Sequence, residues 1–264
     1  LFLLDVIWLR MAIKWKNQRA PDVEGWFESV HHIDALSDLA SLAYANPEFT
    51  VPVLSQEPHH LVTKEMGHPM IKSSQRVYND FSLNDEGRLG LITGSNMSGK
   101  STFQRTVGIN LVLAQMGASV CASTFEFSRV RVFTSMRTKD NLEENVSSFY
   151  AELKRLKELL DSINHEVPTF YMLDEILKGT NSDDRHKGAI SLIDQLTKKN
   201  CRGLVSTHDM ELSTLSKDES SILNFSFNST IVQDEIIFDY KISNEPCRSF
   251  NASKLMEKMG IILN

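Results

Sequence analysis

The sequence predicts an α/β fold with a mainly parallel sheet, preceded by a helical segment. Three observations predict it. Up to about Ala45 the apolar residues recur at three- and four-residue spacing, as Ile33, Leu36, Leu39, Ala40 and Ala43 do, and Pro47 ends the pattern. From about Lys72 short apolar runs alternate with amphipathic stretches, the texture of strands and crossover helices. The chain is also long enough for one large domain plus an appendage, with 264 residues, 41% of them hydrophobic, and only 12 Gly and 7 Pro.

The first run, Leu1 to Trp15, is apolar on most sides but interrupted by Asp5, Arg10 and Lys14. A clean membrane span needs about 20 apolar residues. Two readings stay open: a buried helix of the appendage, or the trailing end of a membrane-inserted segment flanked by Lys14, Lys16 and Arg19. No small-residue cleavage site follows, so the run does not read as a secretory signal. The chain begins at Leu1 rather than Met and is expected to be a piece of something longer. The stretch from Asn46 to Pro69, with its prolines and histidines, reads as a linker, and the division expected is 1–55 for the helical connector and 56–264 for the α/β domain. Within that domain Leu89–Thr93, Thr169–Leu173 and Gly203–Ser206 read as buried strands. Ser101–Met116, Phe149–Ile163 and Asp184–Lys199 read as helices, and Ile231–Val232 with Ile236–Ile242 as a hairpin.

Charge and cysteine content narrow the function classes. Lys plus Arg is 28 against 34 acidic residues, a net charge of −6, which argues against a domain whose main task is gripping nucleic acid by its phosphates. Cys121, Cys201 and Cys247 are an odd number without CxxC spacing, which disfavours a disulfide framework or a zinc site. A reducing, cytoplasmic setting is expected, with a membrane tether upstream of Leu1 as the alternative.

The strongest chemical signal is Gly94-Ser95-Asn96-Met97-Ser98-Gly99-Lys100-Ser101, followed by Thr102. It fits G-x-x-x-x-G-K-[ST] in full, a match expected by chance in roughly one chain per hundred of this length. An apolar strand runs in and a helix-compatible stretch runs out. Glycines let backbone N–H groups close around phosphate oxygens, and the helix presents its positive end to them. Lys100 would neutralise the β- and γ-phosphates of ATP, and the Ser101 hydroxyl would ligate Mg²⁺. Such a loop needs a carboxylate on a neighbouring strand end. Asp174 closes the apolar run Thr169–Leu173 and would hold Mg²⁺, with Glu175 placed to orient or deprotonate the attacking water. A third strand ends at Ser206-Thr207-His208, where His208 would sense the γ-phosphate. Loop, Asp-Glu pair and strand-end His come in the order of a P-loop NTPase of the ABC-ATPase type. Those enzymes share each site between two subunits, and Ser147-Ser148-Phe149, ahead of a helix, is the candidate for the segment presented in trans. The transporter-type LSGGQ sequence is absent from the chain.

These motifs resemble the MutS family of DNA mismatch repair ATPases. TGSNMSGKST is similar to that family's phosphate loop, DEILKGTNSDD to its Asp-Glu segment with Gly179-Thr180, VSSFYAEL to its trans-acting stretch with Glu152, and STHDMEL to its Thr-His stretch. Gly67-His68-Pro69 matches a further family turn with one residue missing, and the likeness runs from roughly Val30 to Gly260. The resemblance implies a homodimer with composite ATP sites, ATP and Mg²⁺ as ligands, and DNA as a partner gripped largely outside this chain. It gives Lys100, Ser101, Asp174, Glu175, His208 and Ser147 the roles above, adds Asn96 as a loop contact, and puts the adenine near Val77 and Tyr78. Ser95 where the family usually has Pro, Ser98 where it has a small residue, and Leu177-Lys178 where Gly-Arg is common imply a divergent branch; Asn145 and Ser148 also depart from its usual trans segment. The competing functions are another ABC-type motor, and a nucleotide-gated interaction module without turnover, against which Glu175 and His208 both count.

Overall fold

A computed structural model describes residues 2–83, 88–136, 148–163, 166–217, 221–232, 235–245 and 247. Backbone contacts divide the chain into two units, residues 1–47 and 48–264. The first is a single helix, α1 (Phe2–Ala45), with Pro21 inside it. Its apolar residues do not form a buried stripe: Leu4, Ile7, Trp8, Leu9, Ile13 and Trp15 are all exposed, as are Ile33 and Leu36. The expectation of a buried helix is therefore corrected: the apolar side chains of that run are exposed. No helix among the described residues is long and apolar enough to cross a membrane.

The second unit carries two sheets. The larger has six strands in the order β10-β9-β4-β8-β7-β6, built from β4 (Leu89–Gly94), β6 (Arg131–Ser135), β7 (Thr169–Asp174), β8 (Cys201–Thr207), β9 (Ile222–Val232) and β10 (Glu235–Ser243). Four of its neighbour pairs are parallel and only β9–β10 is antiparallel. The three strands read from sequence are its centre, each buried along nearly its whole length, as a parallel sheet covered on both faces requires. One face carries α2 (Lys100–Gln115), with Ile92, Phe103, Val107, Leu111 and Met172 in one core. The other carries α3 (Ser148–Ser162) and α4 (Ser182–Thr197), with Leu91, Tyr171, Leu173, Leu159, Ile193 and Leu196 in a second. Alternation along β4 therefore supplies both cores, Leu91 to one and Ile92 to the other.

Local chemistry sets the helix ends. Asn181 caps α4 by accepting from the Asp184 N–H at 2.9 Å, and Asp183 and Asp184 sit at its positive end. Past the end of α2, Gly117 takes φ +80°, while its N–H reaches Ala114 O and the Ala118 N–H reaches Leu113 O. That pair of bonds is a Schellman closure, open to glycine at no steric cost. Gly203 matters for space instead: it lies beside Tyr171 in the β7–β8 register, and an added Cβ would press on the Tyr171 carbonyl and ring. Gly203→Ala is expected to cost about 3 kcal/mol, because a fully buried strand cannot move aside. Chemical denaturation measures this, and an unchanged midpoint would contradict the packing.

Two expectations change. The Asn46–Pro69 stretch is not a linker: β1 (Val53–Leu54) and β2 (Leu61–Met66) lie in it, and with β3 (Asn79–Ser82) and β5 (Thr124–Phe127) they form a second sheet in the order β1-β5-β2-β3. Leu61, Met66, Phe81, Phe125 and Phe127 join the α2-side core, so burial against the larger sheet organises a segment whose prolines and histidines read as loop. The hairpin forms, but its first strand starts at Ile222, because β9 also pairs in parallel with β4 from Leu89↔Ile222 onward.

Candidate functional site

The glycine-rich loop joins the end of β4 to the start of α2, so the backbone passes from a fixed strand directly to a helix N-terminus. Gly94 and Gly99 take φ +150° and +109°, and Met97 turns at +65°. At Gly94 a side chain would also meet the Phe227 carbonyl oxygen at 2.7 Å. Lys100, only 4% exposed, donates to Gly94 O at 2.8 Å and to Ser95 O at 2.9 Å. Burial pushes its pKa down to about 8, opposed by the Asp174 carboxylate and reinforced by the Lys178 ammonium. The Ser98 hydroxyl is buried without a partner among the described residues.

Asp174 stands at the end of β7 and receives two hydroxyls: Ser101 donates to Oδ2 at 2.7 Å, and Ser206 of β8 donates to Oδ1. The strand register makes this contact, since Asp174 lies opposite Ser206. Ser206 also fixes the next residue, because the Glu175 N–H meets both the Ser206 hydroxyl and its carbonyl at 3.1 Å. Glu175 and Leu177 both sit at positive φ, 54° and 58°, a conformation that non-glycine residues hold only when the surroundings impose it. Part of that constraint comes from Glu152 of α3, whose Oε1 accepts the Leu177 N–H at 2.5 Å. Burial raises the Glu152 pKa, and these backbone donors oppose the rise. The Glu175 carboxylate itself meets His208 Nε2 on one oxygen and Lys178 Nζ on the other.

His208 follows β8 and also turns Nδ1 toward Gly94 O at 3.2 Å. Burial, with the Lys100 and Lys178 ammoniums, lowers its pKa to about 4, so the ring is neutral at neutral pH. It then carries one N–H for two facing acceptors. Lys100, Ser101, Asp174, Glu175 and His208 thus gather at the C-terminal ends of three adjacent parallel strands, the usual place for a ligand crevice in such sheets. Ser147 lies outside the described residues.

Beside this group opens a cavity of about 500 Å³, lined by Asn96 through Thr102, Glu175 and Phe227, and walled elsewhere by Met66, His68, Ile71, Gln75, Val77, Asn79 and Tyr240. Gly94 and Ser95 face it only through their bonds to Lys100. Val77 lines the cavity; Tyr78 is not among the lining residues and points its hydroxyl at the Arg76 guanidinium, 3.4 Å away. Asn79 fastens β10 to this wall, donating to Tyr240 O at 3.0 Å and accepting the Ile242 N–H at 2.8 Å. Sequence reasoning missed Ser206, Lys178 and Tyr240. Ser206 could have been found once β7 and β8 were paired; Tyr240 carried no signal, because a strand register cannot be read that far from the loop.

Comparison with known proteins gives the family. The model of MutS domain V matches residues 90–259. The DNA mismatch repair protein MutS of Thermotoga maritima is 34% identical over 226 residues, covering 81% of this chain and 27% of the relative. The DNA mismatch repair protein MutS 2 of Halobacterium salinarum is 33% identical over 215 residues, covering 80% and 24%. The chain therefore spans about a quarter of the length of the curated relatives it matches. With the family model covering well over half of it, this chain belongs to the MutS family.

Proposed function

We propose that the chain is an Mg²⁺-dependent ATPase of the P-loop, ABC-ATPase type, working as a dimer and coupling its nucleotide state to DNA held mainly by regions outside it. The observation that carries this is the convergence of Lys100, Ser101, Asp174, Glu175 and His208 on one end of the parallel sheet. The donor set fits the groups it would hold. Buried Lys100, the unpartnered Ser98 hydroxyl and the α2 N-terminus face the space a polyphosphate would take, and the Ser101 hydroxyl and Asp174 carboxylate are a hard oxygen pair suited to Mg²⁺. The bound ion would offset charge on the β- and γ-phosphates.

This chain's own residues supply the rest. Lys100 exchanges its two loop carbonyls for phosphate oxygens, and Asn96 to Thr102 enclose them with backbone N–H groups. Glu175, held in position by Ser206 and the Glu152-anchored turn, accepts a proton from the attacking water. His208, neutral and in contact with both Glu175 and the Gly94 carbonyl, senses the γ-phosphate from the β8 side of the loop. The wall from Met66 to Val77, with Tyr240, gives the base an apolar seat. Ser147 of a second copy completes each site, residues 1–55 act as the connector, and 56–264 as the ATPase domain. A nucleotide-gated module without turnover is the alternative, and the retention of both Glu175 and His208 counts against it.

Phosphate release from ATP, abolished by chelating Mg²⁺, tests the assignment; no turnover by wild-type dimer would overturn it. Sharing of sites is tested by mixing Ser147→Ala with Lys100→Met chains. Each mixed dimer keeps one intact site, so an equal mixture recovers about a quarter of wild-type turnover. A rate no greater than the sum of the separate variants would exclude composite sites.

A further inference from the structure

The turn that follows β8 brings three side chains of metal-binding type together. Asp209 comes directly after His208, Glu211 opens the short helix Glu211–Lys217, and His186 lies early in α4. One ligand atom from each lies within 4.8 Å of the other two. Only the neighbouring Glu175 loop belongs to the crevice described above; none of these three residues lines its cavity.

Asp209 organises the group. Its N–H donates to Thr207 Oγ1 at 2.9 Å, which fixes it to the end of β8. Its Oδ1 accepts the Glu211 N–H at 3.0 Å, and its Oδ2 lies 2.6 Å from His186 Nδ1. A carboxylate only accepts, so Nδ1 carries the proton and the neutral ring keeps its lone pair on Nε2. That lone pair faces a second acceptor, because Glu211 Oε2 stands 3.8 Å from Nε2. The gap is too wide for a shared proton, since such bonds fail beyond about 3.5 Å. A divalent ion can bridge it, because two metal–ligand bonds of about 2.1 Å reach that far. A carboxylate on one ring nitrogen and a metal on the other is also how a ligating histidine is oriented and made more basic. The surroundings favour positive charge at the same ring. The hydrogen bond to Asp209, opposed by burial and aided by the charges of Asp209, Glu211 and Asp183, raises the His186 pKa.

We infer that His186 Nε2 and Glu211 Oε2 bind a divalent transition-metal ion of the zinc class, with Asp209 as the carboxylate that holds the imidazole in place. A nitrogen donor beside a carboxylate suits such an ion better than Mg²⁺, which prefers oxygen ligands throughout. The ion would tie the start of α4, which follows the Glu175 turn, to the segment after His208. It uses no residue assigned to the nucleotide, so the inference does not rest on the ATPase reading.

Metal titration of the full chain tests it. The protein is stripped with a chelator, kept free of nucleotide in excess Mg²⁺, and titrated with cobalt chloride, whose visible d–d bands report the donors. Saturable Co²⁺ binding is expected, with zinc chloride displacing it. His186→Gln is expected to abolish it, and Asp209→Asn and Glu211→Gln each to weaken it about 10–100-fold, the usual loss when such a group is changed. The Glu211 side chain is 82% exposed, so that variant keeps the test intact should a change at His186 disturb α4. Asp174→Asn removes the carboxylate of the proposed Mg²⁺ site and is expected to leave Co²⁺ binding unchanged, which separates failure here from failure of the ATP-site assignment. Loss of binding in Asp174→Asn, or the intense charge-transfer band of a thiolate ligand, would put the ion elsewhere and overturn the inference. No binding in excess Mg²⁺, or equal affinity in wild type, His186→Gln and Glu211→Gln, overturns it as well.

Discussion

Glu175→Gln is expected to leave ATP binding within a few-fold of wild type while slowing hydrolysis by about 10²–10⁴-fold, the usual contribution of a positioned general base. The amide keeps the shape of the side chain and can still meet His208, but it cannot take a proton from water. The backbone at this position is held by Ser206 rather than by the carboxylate, so the strained φ of 54° should survive the change. Single-turnover phosphate release gives the rate and fluorescent-nucleotide titration the affinity. ATP-bound dimer should accumulate in the variant, visible by light scattering. Unchanged turnover would remove Glu175 from the water-activating role and leave the carboxylate as a tether for Lys178 and His208.

Lys100→Met is expected to weaken nucleotide binding by about 10²-fold, since at least one charge-assisted bond to phosphate is lost while the apolar stem still fills its place. The free protein should not lose stability. In the native state burial holds the Lys100 pKa at about 8 against 10.5 for an ordinary lysine, so the unfolded chain binds this proton more tightly and stability rises with pH between those values. Below about pH 8 the fold carries the cost of a buried ammonium, and methionine relieves it. The same shift makes a second, sharper signature. At about pH 9 most of the free protein has a neutral Lys100, and an arriving polyphosphate draws a proton onto it. Calorimetry in two buffers of different ionisation enthalpy reads that proton uptake. Lys100→Arg, charged throughout, abolishes it; uptake that persists in the arginine variant would place the titrating group elsewhere.

What the sequence made legible follows from where the physics is local. The loop Gly94–Ser101 and the ends of the central strands depend on residues a few positions apart, and spacing alone placed them. Asp174, Glu175 and His208 were legible because they follow short runs with an apolar centre, Phe170–Leu173 and Leu204–Val205. The second sheet was not, because β2 has buried and exposed positions in an irregular order and Glu65 breaks its register at φ 47°. Burial under Phe81 and Phe125, not intrinsic preference, makes that segment a strand. Ser206 escaped notice for a related reason: its importance lies in facing Asp174 across two strands joined only through α4. The apolar opening of α1 misled in the other direction, since a mostly hydrophobic run reads as buried even where its side chains are exposed.

The carbonyl of Gly94 has two lone pairs, and both are engaged, one by the Lys100 ammonium and one directed at His208 Nδ1. One oxygen atom is therefore a switchboard for both sides of the crevice. Glu175 only accepts, so the short contact keeps the imidazole proton on Nε2, and Nδ1 turns a lone pair toward the oxygen that the ammonium also holds. The Lys100 charge beside that oxygen therefore also relieves the crowding of two electron pairs, and moving the lysine outward would loosen the imidazole from the loop while its bond to Glu175 stays in place.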